Sequence, residues 1–180
     1  EARDQQATLF LRFLNKKAKF EIYAEYGRRD HALNWRDAIL NPEHSRAYLL
    51  GFQKLFSLSK ENNYLQIRGE ILNQQESVNR YIRYEALGGR TSWATHYQVR
   101  GFTNRGKALG AGIGTGSNSQ TIEVAVVEGF NKLGIMVERI ANHQDFYYRA
   151  FGQDEEMLPW VDLTIGLLAN KQWKNFLLGS

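Results

Sequence analysis

The sequence predicts an all-β fold, an antiparallel meander of about ten strands that forms one domain over residues 1–180. Two observations support this prediction. Apolar and polar side chains alternate in segment after segment, which is the period-two pattern of strands with two different faces. The connections between these segments are alternately short and long. In an antiparallel meander this order places the tight turns at one end of the sheet and the long connections at the other.

The segment 18–27 has the clearest pattern, with Phe20 and Ile22 on one predicted face and Glu21 and Glu25 on the other. The other predicted strands cover 8–14, 48–58, 64–73, 82–86, 93–101, 121–130, 133–140, 160–168 and 173–178. Tight connections are predicted at 15–17, 59–63, 131–132 and 170–172, because these short segments are polar and contain asparagine.

Composition excludes several classes of protein. With 43% apolar and 23% charged residues, the 180-residue chain can form a sizeable core. Its two prolines and 16 glycines fit neither a collagen nor a disordered chain. No apolar run reaches the roughly 18 residues of a transmembrane helix. The absence of cysteine excludes disulfides and thiol chemistry, and the net charge of +4 permits an acidic partner without requiring one.

The polar face of the predicted strands is rich in charge. Its charged residues are Glu21, Glu25, Arg68, Glu70, Arg83, Glu85, Arg100 and Glu138. In a wide barrel these side chains would form cross-strand charge ladders in a water-filled lumen, and aromatic residues near the strand ends would form interfacial girdles. We therefore expect a segment of a transmembrane outer-membrane β-barrel with long extracellular loops. A soluble β-sandwich remains open, because a solvated sheet face shows the same alternation.

The strand count predicts that the chain is part of a larger barrel. If the long loops are extracellular, the first of ten strands runs inward and the tenth runs outward. Both ends of the segment would then lie on the extracellular side, whereas we expect a complete bacterial barrel of even strand number to keep both ends in the periplasm. The expected structure is therefore a slice of a larger barrel.

The long loops contain side chains that suit sugars and acidic groups. Arginine pairs with carboxylates in a bidentate manner, and aromatic rings offer flat apolar faces. The candidate binding residues are Arg28, Arg29, His31, Trp35, Arg36, His44, Arg46, Asn104, Arg105, Lys107, Tyr147 and Tyr148. A solvated rim of charge is an equally good interpretation of the basic members.

Catalytic and metal-binding patterns are weak. The glycine-rich segment 106–116 has no following Gly-Lys-Ser/Thr and indicates an extracellular loop rather than a phosphate cradle. Asp30, His44 and Ser45 could be arranged as a hydrolase triad, but no nucleophile elbow is present. The four histidines lack metal-ligand spacing. We predict no enzymatic activity, no metal and no cofactor, with a surface hydrolase as a rival hypothesis.

Several segments resemble one known family. The segments 25–30 (EYGRRD), 42–48 (PEHSRAY), 97–106 (YQVRGFTNRG) and 110–120 (GAGIGTGSNSQ), together with 137–140 and 145–148, resemble the Wzi-like capsule assembly proteins of bacterial outer membranes in order and spacing. The resemblance covers most of the chain.

The resemblance implies an outer-membrane barrel that acts as a lectin and holds capsular polysaccharide at the cell surface. Its expected partners are polysaccharide, outer-membrane lipid and other outer-membrane assembly proteins, and no nucleic acid. A transport pore, in which the charged face selects ions and the loops gate them, is a further rival.

Overall fold

One antiparallel sheet of eight strands dominates the structure, in the order β1-β2-β3-β4-β7-β8-β9-β10. The computed structural model describes residues 6–29, 35–40, 42–59, 62–77, 92–94, 103–105, 107–108, 112–151, 156–174 and 176–179. The prediction of an all-β meander is confirmed. Within the described residues the sheet is open, because its edge strands β1 and β10 do not pair with each other.

Long strands alternate with two short helices. The elements are β1 Gln6–Asn15, β2 Phe20–Arg29, α1 Trp35–Leu40, β3 Arg46–Ser57, β4 Asn63–Asn73, β5 Thr103–Asn104, β6 Lys107–Ala108, β7 Asn118–Glu128, β8 Asn131–Ala141, α2 Gln144–Phe151, β9 Val161–Trp173 and β10 Phe176–Gly179. The pair β5 and β6 forms a separate two-stranded sheet. Neither helix was predicted, since segments of six and eight residues are too short to show a helical period.

The two ends of the eight-stranded sheet differ, as the order of connections predicted. The short connections 16–19, 58–62, 129–130 and 174–175 all lie at one end, which we call the turn end. The long connections 30–45, 74–117 and 142–160 all lie at the opposite end, which we call the loop end.

Two predicted turns are displaced. The predicted turn 131–132 is wrong, because Asn131 pairs with Glu128 and the connection is Gly129-Phe130. Gly129 has a φ of +59°, the left-handed conformation that two-residue hairpins require. The predicted turn 170–172 is also wrong, because β9 continues to Trp173, which pairs with Phe176.

The predicted strands 82–86 and 93–101 are only partly open to comparison. Residues 92–94 form a bend, so Trp93 does not begin a strand. Residues 82–86 and 95–100 lie outside the described part of the chain, and so do Arg83, Glu85 and Arg100.

One face of the sheet is apolar and largely exposed. Its side chains include Leu11, Leu50, Ile122, Leu163 and Leu167, and Leu167 is 78% exposed. Among the described residues, the buried apolar side chains are those of Ala47, Ala125, Ala141 and Tyr147. The described residues therefore form no conventional core against which the apolar face of the sheet packs.

The opposite face carries charged and hydroxyl groups that contact one another across strands. Tyr23 on β2 crosses Gly51 on β3 and donates a hydrogen bond from its hydroxyl group to Glu70 Oε2 on β4, over 2.5 Å. Arg68 Nη2 lies 3.5 Å from the same Glu70 oxygen. These contacts join three strands on the polar face.

A side chain at position 51 would break this arrangement. A Cβ atom on Gly51 would lie 2.2 Å from Cζ of Tyr23, so the tyrosine would have to leave Glu70. We expect Gly51→Ala to lower the free energy of unfolding by about 1–3 kcal/mol, the usual cost of overpacking. Urea unfolding in detergent measures it. The matched control is Gly112→Ala, where an added Cβ meets open space; equal stability of the two variants would contradict the prediction.

Candidate functional site

The described parts of the long connections come together at the loop end of the sheet. Most of the buried polar side chains of the described residues lie there: Arg29, Ser45, Gln74, Glu76, Ser77, Ser92, Ser117, Ser119, Gln144 and Asp145. We call this set the loop-end cluster. Those that belong to strands, such as Arg29 and Ser119, share the face of Tyr23 and Glu70 by register.

The start of α2 joins the second and third long connections. Asp145 Oδ1 accepts a hydrogen bond of 2.8 Å from the backbone N–H of Glu76, and both carboxylates are buried. The N–H of Gln144 donates to the carbonyl oxygen of Gly116 over 3.0 Å. A Cβ atom on Gly116 would lie 2.6 Å from Asp145 Cγ, so only glycine permits this close approach. The φ of +63° at Gly116 also favours glycine.

The first long connection is attached to the second in the same region. The Ser77 hydroxyl group donates to the carboxylate of Glu43. Arg46 Nη1 donates to the carbonyl oxygen of Gln75 over 2.7 Å, and Tyr26 donates its hydroxyl proton to the carbonyl oxygen of Pro42 over 2.5 Å. Side chains at the ends of β2 and β3 thus fix the adjoining loops.

Trp93 lies over the loop end of β1 and β2. Its carbonyl oxygen accepts hydrogen bonds from Gln6 Nε2 over 2.9 Å and from Arg29 Nη1 over 3.3 Å. Its ring lies against Gly27, where a Cβ atom would come within 2.6 Å of it. The second long connection therefore reaches across the polar face from β4 to the β1 edge.

An aromatic side chain of α2 and the residue before β9 form a partly exposed pair, Phe146 and Trp160, which we call the aromatic platform. The rings of Phe146 and Trp160 stack with centroids 6.1 Å apart and planes inclined by 24°. Both side chains are 43–44% exposed. Phe151 contacts Phe146 edge to face and supports it from within the helix. The platform therefore presents flat apolar rings beside the polar loop-end cluster.

Eight of the twelve candidate binding residues have side chains that the structure describes, and these are buried, half-buried or exposed. Arg29 is completely buried and Tyr147 nearly so, with the Tyr147 hydroxyl group donating to the Met157 carbonyl oxygen over 2.6 Å. Both side chains hold the loops in place rather than face solvent. Arg36, Arg105 and Tyr148 are exposed.

Of the remaining candidates, Arg28, His44 and Arg46 are half-buried. His31 lies outside the described residues, and so do the side chains of Trp35, Asn104 and Lys107.

Five of the predicted lumen charges are described, namely Glu21, Glu25, Arg68, Glu70 and Glu138, and all five lie on the polar face. Sequence reasoning missed other charged residues on the same face, which form two ion pairs. Arg12 Nε lies 2.6 Å from Glu21 Oε1. Lys132 Nζ lies 2.5 Å from Oε1 of Glu123.

Within the described residues, neither the hydrolase triad nor a metal site is assembled. Ser45 is 1% exposed, so its hydroxyl group is not placed to attack a substrate, and Asp30 lies outside the described part of the chain. No group of three or more His, Asp or Glu side chains that could hold a metal ion occurs in the part that is described.

Residues that sequence reasoning missed include Glu76, Trp93, Asp145, Phe146 and Trp160. Polar residues such as Glu76 and Asp145 look like ordinary loop residues in the sequence, because their burial depends on contacts between distant connections. The aromatic run that begins at Phe146 is visible in the sequence and could have indicated this group of exposed rings. The stacking of Phe146 with Trp160 could not be predicted from the sequence.

Comparison with family models, with curated proteins and with solved structures finds no match to this chain. No helix among the described residues has the length and apolar character needed to cross a membrane.

The link between Asp145 and Glu76 gives a prediction about loop order. We expect Asp145→Ala to increase protease cleavage within the loop-end connections while the sheet stays folded. The variant removes a charged acceptor from a buried N–H group, at a cost of about 1.5–3 kcal/mol. Asp145→Asn retains an acceptor oxygen and should restore much of the protection. Limited proteolysis followed by peptide mass mapping measures the effect.

The control for Asp145→Ala is Glu128→Ala, which removes an exposed carboxylate at the turn end. Equal cleavage of the loops in the Asp145 and Glu128 variants would contradict the role assigned to Asp145.

Proposed function

We propose that this chain is a segment of a bacterial outer-membrane β-barrel that binds capsular or other surface polysaccharide at its loop end. The observation that carries the membrane part of the proposal is the apolar face, which is exposed across the sheet and has no packing partner among the described residues. Soluble monomers rarely expose apolar patches larger than a few hundred Å². Lipid is the partner that would cover such a face.

The dimensions of the apolar face support this placement. On β3, Tyr48 and Phe56 lie on the apolar face near opposite ends of the strand. The eight-residue separation between them spans about 26 Å at about 3.3 Å per residue, comparable with the roughly 25 Å apolar band of outer-membrane barrels. Further exposed aromatic side chains, Phe130, Trp173 and Phe176, lie at the turn end, where an interfacial girdle would fall.

The polar face would then line the lumen. Its cross-strand contacts, such as Tyr23 with Glu70 and Arg12 with Glu21, satisfy charged groups that lipid would not tolerate. Closure of such a barrel requires further strands between β10 and β1. Outer-membrane barrels place their long loops outside and their tight turns in the periplasm, which puts the loop end at the cell surface.

The covered loop end favours a binding protein over an open pore. Trp93 lies over the polar face at Gly27, and its carbonyl oxygen accepts hydrogen bonds from Gln6 and Arg29. Glu76 and Asp145 are joined separately, by the bond from the Glu76 N–H group to the Asp145 carboxylate. A covering held in this way would obstruct the lumen at the cell surface. The same covering provides a firm base for groups that contact a ligand outside the barrel.

The aromatic platform is the feature that fits a polysaccharide best. Sugar rings have apolar faces that pack against exposed aromatic rings such as Phe146 and Trp160, and acidic sugars would pair with exposed Arg36 or Arg105. Each contact is weak, but repeated units of one polymer act on the site at high effective concentration. The proposed activity is retention of polysaccharide, without chemical change.

The platform prediction compares two tryptophans at opposite ends of the sheet. We expect Trp160→Ala in the full-length protein to weaken polysaccharide binding roughly tenfold, equal to about 1.4 kcal/mol. Trp173→Ala, which removes the 69%-exposed tryptophan at the turn end, should leave binding unchanged. Retention of labelled capsule on cells carrying each variant measures the effect. Equal retention by the two variants would contradict the role of the platform.

Membrane placement has its own test. We expect the native protein to fractionate with outer membranes and to give a band whose migration changes when the sample is boiled, because detergent does not unfold a closed barrel at room temperature. The same gel reports whether Trp160→Ala and Trp173→Ala fold. A protein that stays in the aqueous fraction without detergent would rule out the barrel.

A further inference from the structure

The apolar face contains a groove with a fixed cation at one end. The groove has a volume of about 470 Å³ and is lined by apolar side chains of four neighbouring strands, including Leu50, Phe52, Ile122 and Val137. The Phe52 ring lies over Gly69 on β4, 2.5 Å from where a Cβ of Gly69 would be, so the absence of a side chain at Gly69 lets this ring lie against the sheet and form one wall of the groove.

Arg139 and Gln120 line the same groove on its loop side. Both belong to the apolar face by register, where Gln120 pairs with Arg139 and Arg139 with Leu163. Arg139 is exposed and lies two residues before the end of β8 at the loop end. A charge on the lipid face costs about 2–4 kcal/mol at the midplane and about 0–1 near the interface, so this position is compatible with a membrane.

The guanidinium group of Arg139 is held in position by two neutral amides. Its Nη1 donates to Gln120 Oε1 over 2.9 Å and to Asn118 Oδ1 over 3.2 Å. Gln120 Nε2 in turn donates to Asn118 Oδ1 over 3.1 Å. Nε and Nη2 of Arg139 make no hydrogen bond to the described residues, and no carboxylate among those residues pairs with it.

We infer that this groove binds one acyl chain of a phosphate-bearing lipid, with the phosphate on the free N–H groups of Arg139 and the chain beside Phe52 and Ile122. An apolar strip that ends in a fixed cation matches the polarity of an anionic lipid, whose chain and charged group are arranged in the same order. Guanidinium groups bind phosphate through paired, charge-assisted hydrogen bonds. The inference rests on the proposed membrane placement.

The test uses native mass spectrometry of the full-length protein from bicelles that contain dimyristoyl phosphatidic acid or dimyristoyl phosphatidylcholine. Both lipids have the same chains, and only the first presents an unshielded phosphate. We expect a preference for phosphatidic acid that R139Q reduces roughly tenfold, the loss of a charge-assisted hydrogen bond. R12Q removes an arginine from the opposite face and should retain the preference.

A second variant tests the chain-binding part of the groove. Ile122 is 49% exposed, so I122W can fill the groove without overlapping a packed core, and it should reduce binding of phosphatidic acid. Equal binding of the two lipids, or equal loss in R139Q and R12Q, would overturn the lipid site while leaving the barrel intact. A protein that enters no bicelle at all would overturn both the site and the membrane placement.

Discussion

The structure depends on one constraint: its strands bury almost no apolar side chain against one another. Backbone hydrogen bonds join eight strands in register, while the apolar side chains of β1, β9 and β10 remain exposed. A single sheet in water would leave that surface unsatisfied, at about 25 cal/mol per Å² of apolar area. Covering this face with apolar material would remove that cost, and the proposed membrane placement provides such a covering.

The same constraint explains why side chains on the polar face contact one another across strands. Because the described residues form no apolar core on either face, side chains that cross between strands hold the sheet together, as Tyr23 does when it passes over Gly51 to reach Glu70. The loop-end cluster extends this arrangement beyond the strands. Asp145, Glu76 and Gly116 join connections that are far apart in sequence, so the loops are held by polar contacts and close approaches. Such order would favour the proposed binding of a polymer, because an ordered loop loses little conformational entropy on binding.

The sequence predicted the strands well and the loops poorly, for a physical reason. Alternation of residues such as Glu21 and Ile22 is local, so it identifies the strand and its two faces without any tertiary information. Turn positions were less certain because Asn131 and Lys132 look like turn residues but pair with β7, and the positive φ of Gly129 marks the real turn. The burial of Arg29 and Tyr147 was not predictable, since it arises where separate connections meet.

The position of Arg139 connects these observations. Most of the neighbouring residues on its face are apolar, and an isolated arginine there is costly unless it lies near an interface or has an anionic partner. Asn118 and Gln120 do not neutralise it; they orient it, and they leave Nε and Nη2 directed to no described group. If lipid covers the apolar face, the molecules that meet Arg139 are lipid headgroups, and a phosphate satisfies both the charge and the remaining donors. A lipid covering of the apolar face would then be partly specific, because Arg139 at the loop end would select lipids that present a phosphate.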